Sequence, residues 1–461
     1  MMSIKGTRTL RIAALSAALL CGCLSAVAEQ AGRRYVITDF GAVGDGHTVN
    51  TGAIQAVIDR CAGDGGGVVV VPSGTFLTGA LFFKQGVDLA VEKSAVLKST
   101  TNPEEFPDID TRWEGIDTRW MCALLNFQNM TNVHVSGEGT VDGSGMEWLK
   151  KLGMKERPWN WGPDKSAPRP AGVKGKDKEI VGPPEPGYRT AHTMRGPQLE
   201  RPQMMLVSNC EGVRIEGLHF EHQAIWCLHL LYSQDVDVDH VTIHTGNRIG
   251  KSDGIDIDSC DDVRITGCDL SNFDDNISLK SGWNEYGRKV NRPTENITIS
   301  DCTFRNGDGL AMGSELSGSI RHVLVERCRF IYTKATARIK SKPSRGGVIE
   351  DVVFRDIKLE NVWRMVDFLL AWNLKDQDEP PAPALTETRG IRMINFSGTV
   401  ESGGLIIGLK GGPFRDLKFV NCHVTAKTGV VLENTEDVDL SGLDLKVAEG
   451  PAIIHGRPPK G

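Results

Sequence analysis

Three aspartates in the middle of the sequence have the type and spacing needed for acid/base chemistry. Asp253 precedes the adjacent pair Asp274 and Asp275 by about one short coil of a repetitive β-structure, roughly 22 residues. Neighbouring strands lie about 4.8 Å apart, so Asp253 should lie almost directly over the pair. Carboxylates crowded in this way cannot all stay charged, and one of them keeps a proton near neutral pH. The spacing therefore predicts a general acid beside candidate general bases.

Basic residues are expected to converge on the same surface. Arg338 and Lys340 are separated by one residue, and alternate residues of a strand point to the same face. With Lys251 and Lys280 they predict a pocket that holds an anionic substrate through charge-assisted hydrogen bonds. An Asp-Gly or Asp-Asp pair alone is typical of a solvated turn. The combination of acids and bases is what favours a functional site.

The elements that position these residues are short strands of one design that recur along the chain, such as VRITGCDL from Val263 and ITISDCTF from Ile297. A unit of this kind cannot bury its own inward face, so the coils must stack to form one continuous core. The position five residues after the start of each strand is always apolar. It is occupied by Leu218, Val241, Cys268, Cys302, Cys328, Ile357, Cys422 and Leu443. We therefore expect the four cysteines of this row to stack in the interior as reduced thiols.

Two segments depart from the repeat. Ala53, Ile54, Val57, Ile58 and Cys61 follow Asn50 and Thr51 at helical spacing, which predicts a short capped helix over the first open coil. Residues 150–200 are rich in Pro, Gly and Lys without periodicity, which predicts a long surface loop. We expect one domain from residue 29 to residue 461 that contains this loop.

The N-terminus and the composition limit the possible functions. Residues 1–28 contain Lys5, Arg8 and Arg11, an apolar run and an Ala-Val-Ala end, which predicts a cleaved signal peptide and a secreted or periplasmic protein. Cleavage before Cys23, giving an outer-membrane lipoprotein, is an alternative. No later segment predicts a transmembrane helix. Without the signal, which has three basic and no acidic residues, the net charge changes from −6 to −9 and argues against nucleic-acid binding. We expect a monomer.

The order of these motifs resembles glycoside hydrolase family 28, the polygalacturonase-like pectinases, from about Tyr35 to Lys446. The family pattern is Asn-Thr-Asp, Asp-Asp, Gly-His-Gly and Arg-Ile-Lys. The chain has Lys251-Ser252-Asp253, Asp274-Asp275, Gly307-Asp308-Gly309 and Arg338-Ile339-Lys340 in that order. The resemblance implies an all-β fold, a single-stranded right-handed parallel β-helix, and an enzyme that needs neither a metal nor an organic cofactor.

The resemblance also implies roles for these residues. Asp274 would protonate the departing oxygen, while Asp253 and Asp275 would activate water in an inverting hydrolysis. Arg338 and Lys340 would bind the carboxylate of the sugar at the cleavage point. The substrate would be a pectic polysaccharide that contains galacturonic acid.

Two departures from the family pattern matter: Lys251 replaces the asparagine and Asp308 replaces the histidine. Rhamnogalacturonan hydrolases of the same family also lack the histidine, so this substrate remains an alternative. Asp308 between two glycines is equally typical of a solvated turn. A non-catalytic pectin-binding β-helix and a calcium-dependent pectate lyase are rivals from other classes.

Aromatic residues provide further candidates for the cleft. Trp226 and His229 precede the acidic coils, where an aromatic ring can stack on a sugar or simply close a coil. The segment Trp113-Glu114-Gly115 and Trp120 resemble a part of bacterial family members that shapes the end of the cleft and favours exo action.

Overall fold

The structure is a computed structural model that describes residues 32–156, 184–193, 196–372 and 379–456. The predicted signal segment, 1–28, and the alternative lipidation position, Cys23, lie outside these ranges. Within the described ranges, no helix is both long enough and apolar enough to cross a membrane.

The chain folds into the expected right-handed parallel β-helix. A typical coil contains three short strands, which begin at Ile255, Asp261 and Asp269. Each pairs in parallel with the equivalent strand of the next coil, beginning at Ile277, Thr294 and Thr303 respectively. Alternate side chains of the strands point inward, and their burial forms one continuous apolar core along the helix axis.

The strands are short in most coils and fuse into longer ones near the C-terminus. In the first coils they are β1 (Arg34–Val36), β2 (Asp45–Val49), β3 (Gly67–Val71), β4 (Gly74–Thr78), β5 (Leu81–Phe82), β6 (Val87–Val91), β7 (Ala95–Ser99), β8 (Asp108–Trp113), β9 (Ile116–Met121), β10 (Leu125–Gln128), β11 (Thr131–Ser136) and β12 (Thr140–Asp142). In the central part they are β13 (Thr190–Thr193), β14 (Gly196–Leu199), β15 (Met205–Ser208), β16 (Glu211–Glu216), β17 (His219–Glu221), β18 (Leu228–Leu231), β19 (Gln234–Asp239), β20 (Thr242–His244), β21 (Ile255–Asp258), β22 (Asp261–Thr266), β23 (Asp269–Ser271), β24 (Ile277–Lys280), β25 (Thr294–Ser300), β26 (Thr303–Arg305), β27 (Leu310–Gly313), β28 (Ile320–Glu326), β29 (Arg329–Ile331) and β30 (Ala335–Lys340). The last coils contain β31 (Val348–Leu369), β32 (Glu387–Ile407), β33 (Phe414–Val420), β34 (Cys422–Glu433), β35 (Thr435–Asp439) and β36 (Leu443–His455).

Among the described residues, two antiparallel hairpins and three helices decorate this solenoid. The hairpins are β8–β9 and β13–β14. The helices are α1 (Thr51–Gly63), α2 (Gly145–Lys151) and α3 (Asn284–Val290), and short 3₁₀ turns cover Ile37–Phe40 and Pro103–Glu105. The predicted loop of residues 150–200 is described only in part. Its described ends contain the last residues of α2 and the hairpin β13–β14, which the sequence pattern did not predict.

The stacked apolar row is confirmed by the strand register. His219, Thr242, Asp269, Thr303 and Arg329 pair in succession, so the residue before each of them stacks in the same column. All four cysteines of the row are buried, and none of the four forms a disulfide bond. Phe396 is a further member, lying between Ile357 and Cys422 in a coil that the sequence alignment passed over.

A second column explains how each coil turns its corner. The residue immediately before each of ten aligned apolar residues, one per coil in ten successive coils, has a positive φ between 49° and 69°. These apolar residues are Val133, Val213, Val236, Val263, Ile297, Val323, Val352, Ile391, Leu417 and Val438. Only Gly, Asn and Asp adopt this left-handed conformation readily, and they fill nine of the ten positions. These positions are Asn132, Gly212, Asp235, Asp262, Asn296, His322, Asp351, Gly390, Asp416 and Asp437.

The predicted capping helix is α1, and its apolar residues Ile54, Val57, Ile58 and Cys61 are buried against the first coils. Asn50 is its N-cap residue, but the expected capping by the side chain is wrong. The Asn50 amide instead bridges the preceding loop, accepting from the Val43 N–H at 2.7 Å and donating to the Val43 carbonyl at 3.0 Å.

Candidate active site

The β-helix brings the three predicted aspartates together. Ile255 of β21 pairs with Ile277 of β24, and this register places Asp253 beside Asp275. The Gly254 N–H donates to the Asp275 carbonyl at 2.9 Å, which fixes the two loops against each other. One carboxylate oxygen of each aspartate lies within 4.8 Å of the others. The cluster is therefore tight enough for its protons to be shared.

Asp274 is the most accessible of the three carboxylates and its orientation is fixed by the backbone. Its Oδ1 accepts a hydrogen bond from the Asp275 N–H at 3.1 Å, and its Oδ2 accepts one from the Lys251 N–H at 3.1 Å. The side chain is half-buried, whereas Asp253 and Asp275 are buried. Asp274 is thus the carboxylate best placed to meet a bound ligand.

Arg338 and Lys340 lie on β30, two coils beyond the aspartate pair, and their side chains reach back to it. Arg338 Nη1 donates to Asp275 Oδ1 at 3.0 Å, and Lys340 Nζ donates to Asp275 Oδ2. Both oxygens of Asp275 are therefore paired with cations, and these charge-assisted hydrogen bonds hold the carboxylate in place.

Lys280 lies beneath the cluster and is surrounded by acidic groups. Its Nζ is 3.3 Å from Glu315 Oε2, 3.4 Å from Asp256 Oδ1 and 3.8 Å from Asp253 Oδ2. Burial alone would lower the pKa of Lys280, but these carboxylates outweigh it and raise that pKa well above its usual value. Lys280 therefore acts as a buried counterion.

Burial has the opposite effect on the acids around Lys280. It raises the pKa of Asp253 well above its usual value, and the charges of Asp256 and Asp274 add to the shift. It also raises the pKa of Asp256 to about 8, although Lys280 opposes it. The expectation that a proton stays in the cluster thus has a physical basis, and the strongest case for it is Asp253.

Lys251 contacts the tip of the hairpin β8–β9. Its Nζ donates to Glu114 Oε1 and to Gln198 Oε1, while Gln198 Nε2 donates to Glu114 Oε2 at 2.6 Å. At the same tip, the Gly115 carbonyl accepts from the Trp283 N–H at 2.9 Å. The hairpin therefore closes one side of the site, and its tip is the segment that resembles a part of bacterial family members.

Asp308 is not a solvated turn residue, so that interpretation of the sequence is wrong. Its side chain is buried, with the residue only 7% exposed, and Oδ2 accepts from Lys334 Nζ at 2.8 Å and from Arg338 Nη1. Burial alone would raise the pKa of Asp308, but Lys334 and Arg338 outweigh it and hold the pKa below its usual value. The Gly-Asp-Gly sequence resembles a turn, but the next coil covers it with two cations.

Of the aromatic candidates Trp226 and His229, one lies at the site and the other lies behind it. The Trp226 ring lines the cavity and lies 4.8 Å from Lys280 Nζ. His229 is fully buried, with its Nδ1 3.2 Å from Gln203 Nε2 and its Nε2 3.9 Å from Asp258 Oδ2. Trp226 can therefore contact a ligand, whereas His229 supports the coil.

The resulting cavity has a volume of about 310 Å³ and contains all eight predicted site residues. It is lined by Glu114, Trp226, Lys251, Asp253, Asp274, Asp275, Lys280, Asp308, Ser314, Glu315, Lys334, Arg338, Lys340 and Trp372. Lys334, Glu315 and Trp372 were not predicted as site residues. Lys334 could have been found, because it precedes Arg338 on the same coil, but nothing in the sequence indicates that Trp372 returns to the site.

Another cavity, of about 390 Å³, lies near residues 385–389 and 411–416. Its two arginines already pair with acids, Arg389 with Glu350 at 2.6 Å and Arg415 with Glu436 at 2.8 Å. It contains none of the predicted site residues, and its size alone does not indicate chemistry.

Comparison with known proteins agrees with this geometry. The model of glycosyl hydrolases family 28 matches residues 189–441, more than half of the chain. A second model, of rhamnogalacturonase A/epimerase and pectate lyase-like proteins, matches residues 34–148.

Similar proteins include plant and bacterial examples. A probable polygalacturonase of Vitis vinifera is 27% identical over 71% of this chain and 60% of its own length. An exo-poly-alpha-D-galacturonosidase of Dickeya chrysanthemi is 27% identical over 71% of this chain and 55% of its own. The chain thus spans less than two thirds of these relatives.

A solved structure of similar fold is the hyperthermoactive exopolygalacturonase of Thermotoga maritima. It has a TM-score of 0.69 and 25% identity, and the match covers 87% of this chain and 92% of that one. The family match, which includes the whole cluster of aspartates and cations, shows that this chain belongs to glycoside hydrolase family 28.

Proposed function

We propose that this protein hydrolyses α-glycosidic bonds of pectic polysaccharide that contains galacturonic acid, in the manner of a polygalacturonase. The observation that carries the proposal is the cluster of Asp253, Asp274 and Asp275, whose carboxylate oxygens lie within 4.8 Å in a cavity that also contains five cations. Relatives named as polygalacturonases support this substrate class.

In this proposal Asp274 is the general acid, because it is the accessible member of the cluster and can reach the departing oxygen. Asp253 and Asp275 position and activate the attacking water. Neither is suited to attack the sugar directly, since both side chains are buried and both oxygens of Asp275 are paired with cations. A water nucleophile, and therefore inversion of the anomeric carbon, follows.

The compactness of the cluster makes this stereochemistry worth measuring. Inverting glycosidases generally separate their two carboxyl groups by about 6.5–9.5 Å, and retaining ones by about 5–5.5 Å. The oxygen separations here are close to the retaining range. The proposal of inversion therefore rests on the paired state of Asp275 and on the family resemblance. Proton NMR of the first product settles it, because a retaining enzyme would release the α-anomer from an α-linked substrate.

The remaining site residues are proposed to bind the substrate or to support those that do. Arg338 and Lys340 face the cavity beside Asp275, and Lys251 faces it beside the hairpin. Lys280 and Asp308 are more deeply enclosed by ion pairs, so they act mainly through their electrostatic effect on Asp253 and Arg338.

The hairpin β8–β9 favours cleavage from a chain end. Glu114 at its tip is bonded to Lys251 and Gln198, and this contact closes one side of the cavity. Two relatives named above are exo-acting by name. An exo enzyme releases one short product from the first minutes of digestion, whereas an endo enzyme first produces a ladder of intermediate lengths.

The test of the proposed function is a digest of homogalacturonan and rhamnogalacturonan side by side. Release of reducing sugar without new ultraviolet absorbance supports hydrolysis, and a growing ultraviolet absorbance would identify a lyase that leaves a double bond. Binding without release of reducing sugar would support the non-catalytic rival. Product masses distinguish polygalacturonase from rhamnogalacturonan hydrolase activity.

Three further proposals concern the whole protein. We expect a secreted or periplasmic protein, a single catalytic domain from residue 29 onward, and a monomer. N-terminal sequencing of the exported protein tests the first, and light scattering tests the last.

A further inference from the structure

Every cation that lines the cavity already has a carboxylate partner from the chain itself. Lys251 pairs with Glu114, Lys280 with Glu315, Lys334 with Asp308, and Lys340 with Asp275. Arg338 contacts both Asp275 and Asp308. Six carboxyl groups and five cations line the cavity in total, so every cation there is already in contact with an acid of the protein.

Arg338 illustrates this compensation most clearly. Its Nη1 contacts Asp308 Oδ2 and Asp275 Oδ1, the latter at 3.0 Å, and its Nε lies 3.6 Å from Asp367 Oδ2. All four side chains are at least nine-tenths buried. A substrate carboxylate added here would be the fourth acid around one guanidinium, in surroundings where charges are weakly screened.

Asp308 cannot readily move aside for such a substrate. Its N–H donates to the Asp274 carbonyl at 2.7 Å, and the next N–H, that of Gly309, donates to Asn276 Oδ1 at 3.0 Å. An alanine in place of Gly309 would put its Cβ 1.9 Å from the Ala335 carbonyl oxygen, so the backbone is closely packed on this side. Displacing Asp308 would break its ion pairs with both Lys334 and Arg338.

We infer that Asp308, held by Lys334 and Arg338, occupies the place of a substrate carboxylate, so that the sugar bound at this point of the cleft carries no free carboxylate. The sugar is then a neutral one or an esterified uronic acid, since both are uncharged at this position. The inference rests on the proposed function, because it specifies one sugar within the pectic substrate.

The experiment measures binding by calorimetry with the Asp274→Asn variant, in which hydrolysis is suppressed. Three oligosaccharides of equal length serve as probes: free oligogalacturonate, its fully methyl-esterified form, and an alternating rhamnose–galacturonate oligomer. We expect the methyl ester or the alternating oligomer, or both, to bind at least about tenfold more tightly than the free oligogalacturonate. Preference for the ester identifies an esterified uronic acid, and preference for the alternating oligomer identifies a neutral sugar.

Adding Asp308→Asn tests the residue itself. The amide keeps the shape but removes the acid partner of Lys334 and one of the three acids around Arg338, so affinity for free oligogalacturonate should rise about tenfold while that for the preferred ligand changes little. Asp301→Asn is the matched control, because Asp301 pairs with Arg327 at 2.8 Å on an exposed corner outside the cavity. It should leave all three affinities unchanged.

Two results overturn the inference. One is that neither the ester nor the alternating oligomer binds more tightly than free oligogalacturonate. The other is that Asp308→Asn leaves the ratio of the affinities for free oligogalacturonate and the preferred ligand unchanged. If that variant does not fold, the comparison of ligands with the Asp308-containing protein still decides. Binding of none of the oligosaccharides would overturn the proposed function as well, which distinguishes the two failures.

Discussion

Replacing Arg112 by methionine is expected to destabilise the protein by about 3–5 kcal/mol at pH 7, the usual cost of removing one partner of a buried ion pair. Arg112 lies on β8, is 1% exposed, and donates to Asp258 Oδ1 at 2.8 Å and to Ser259 Oγ at 3.0 Å. Asp258 is 0% exposed, so methionine would leave its charge isolated in the core. The contact also attaches the hairpin with Glu114 to the coil beneath the site.

The loss should depend on pH in a defined direction. Burial alone would raise the pKa of Asp258, but Arg112 and, after it, His229 together outweigh burial and hold the pKa below its usual value. This carboxylate therefore contributes stability that is present above its unfolded pKa, about 3.9, and is lost as pH falls through the folded pKa. In the variant the pKa of Asp258 lies above its unfolded value instead. Keeping this carboxylate charged in the core therefore costs stability as pH rises above about 4. At pH 4.5 Asp258 or the neighbouring His229 can take up a proton, so the deficit should shrink.

The assay is urea unfolding of both proteins at pH 7 and pH 4.5. Arg119→Met is the control, because Arg119 lies on the same hairpin, has a 64% exposed side chain and pairs with Asp110 at 3.4 Å. Such surface pairs contribute at most about 1 kcal/mol. The reasoning is refuted if Arg112→Met costs no more than the control at pH 7, or if its cost is the same at both pH values. Adding Asp258→Asn should recover part of the stability, since it removes the isolated charge.

Further variants test the site and the core. Asp274→Asn should reduce hydrolysis by about 10²–10⁴ with an unchanged circular dichroism spectrum, and retention of a tenth of the activity would contradict its role as the acid. The acid limb of the pH–rate profile should lie above the usual pKa range of carboxylates, because Asp253 has a raised pKa and must lose its proton before it acts as a base. An acid limb near pH 4 would contradict this. The four buried cysteines of the row should resist a thiol reagent until the protein unfolds, and rapid labelling would show that they are accessible. Gly309→Ala should destabilise the protein in thermal unfolding, because the new Cβ would lie 1.9 Å from the Ala335 carbonyl oxygen. Gly52→Ala in α1 places its Cβ in open space and should stabilise the protein by about 0.5–1 kcal/mol in the same measurement.

The sequence by itself determined the solenoid and the overlay of its acidic residues, because both depend on local repetition. A position that is apolar in every copy must face the interior, and the row from Leu218 to Leu443 does so. Asp253 lies beside Asp275 because the intervening coil has almost no loop to change the spacing. The Asn, Asp and Gly residues at the coil corners were also visible in the sequence, and the left-handed conformation explains their recurrence.

The tertiary structure alone decided which charge pairs with which. Arg112 is 146 residues from Asp258, and Arg338 is 30 residues from Asp308, so no local pattern relates the partners. Lys280 was predicted to bind an anionic substrate, yet it is enclosed by Asp253, Asp256 and Glu315. Loops of variable length and a hairpin fold back over the coils, and burial then makes each contact strong by removing water. The spacing of residues along one strand predicts the face on which a side chain lies, but the partner on that face comes from a distant part of the chain.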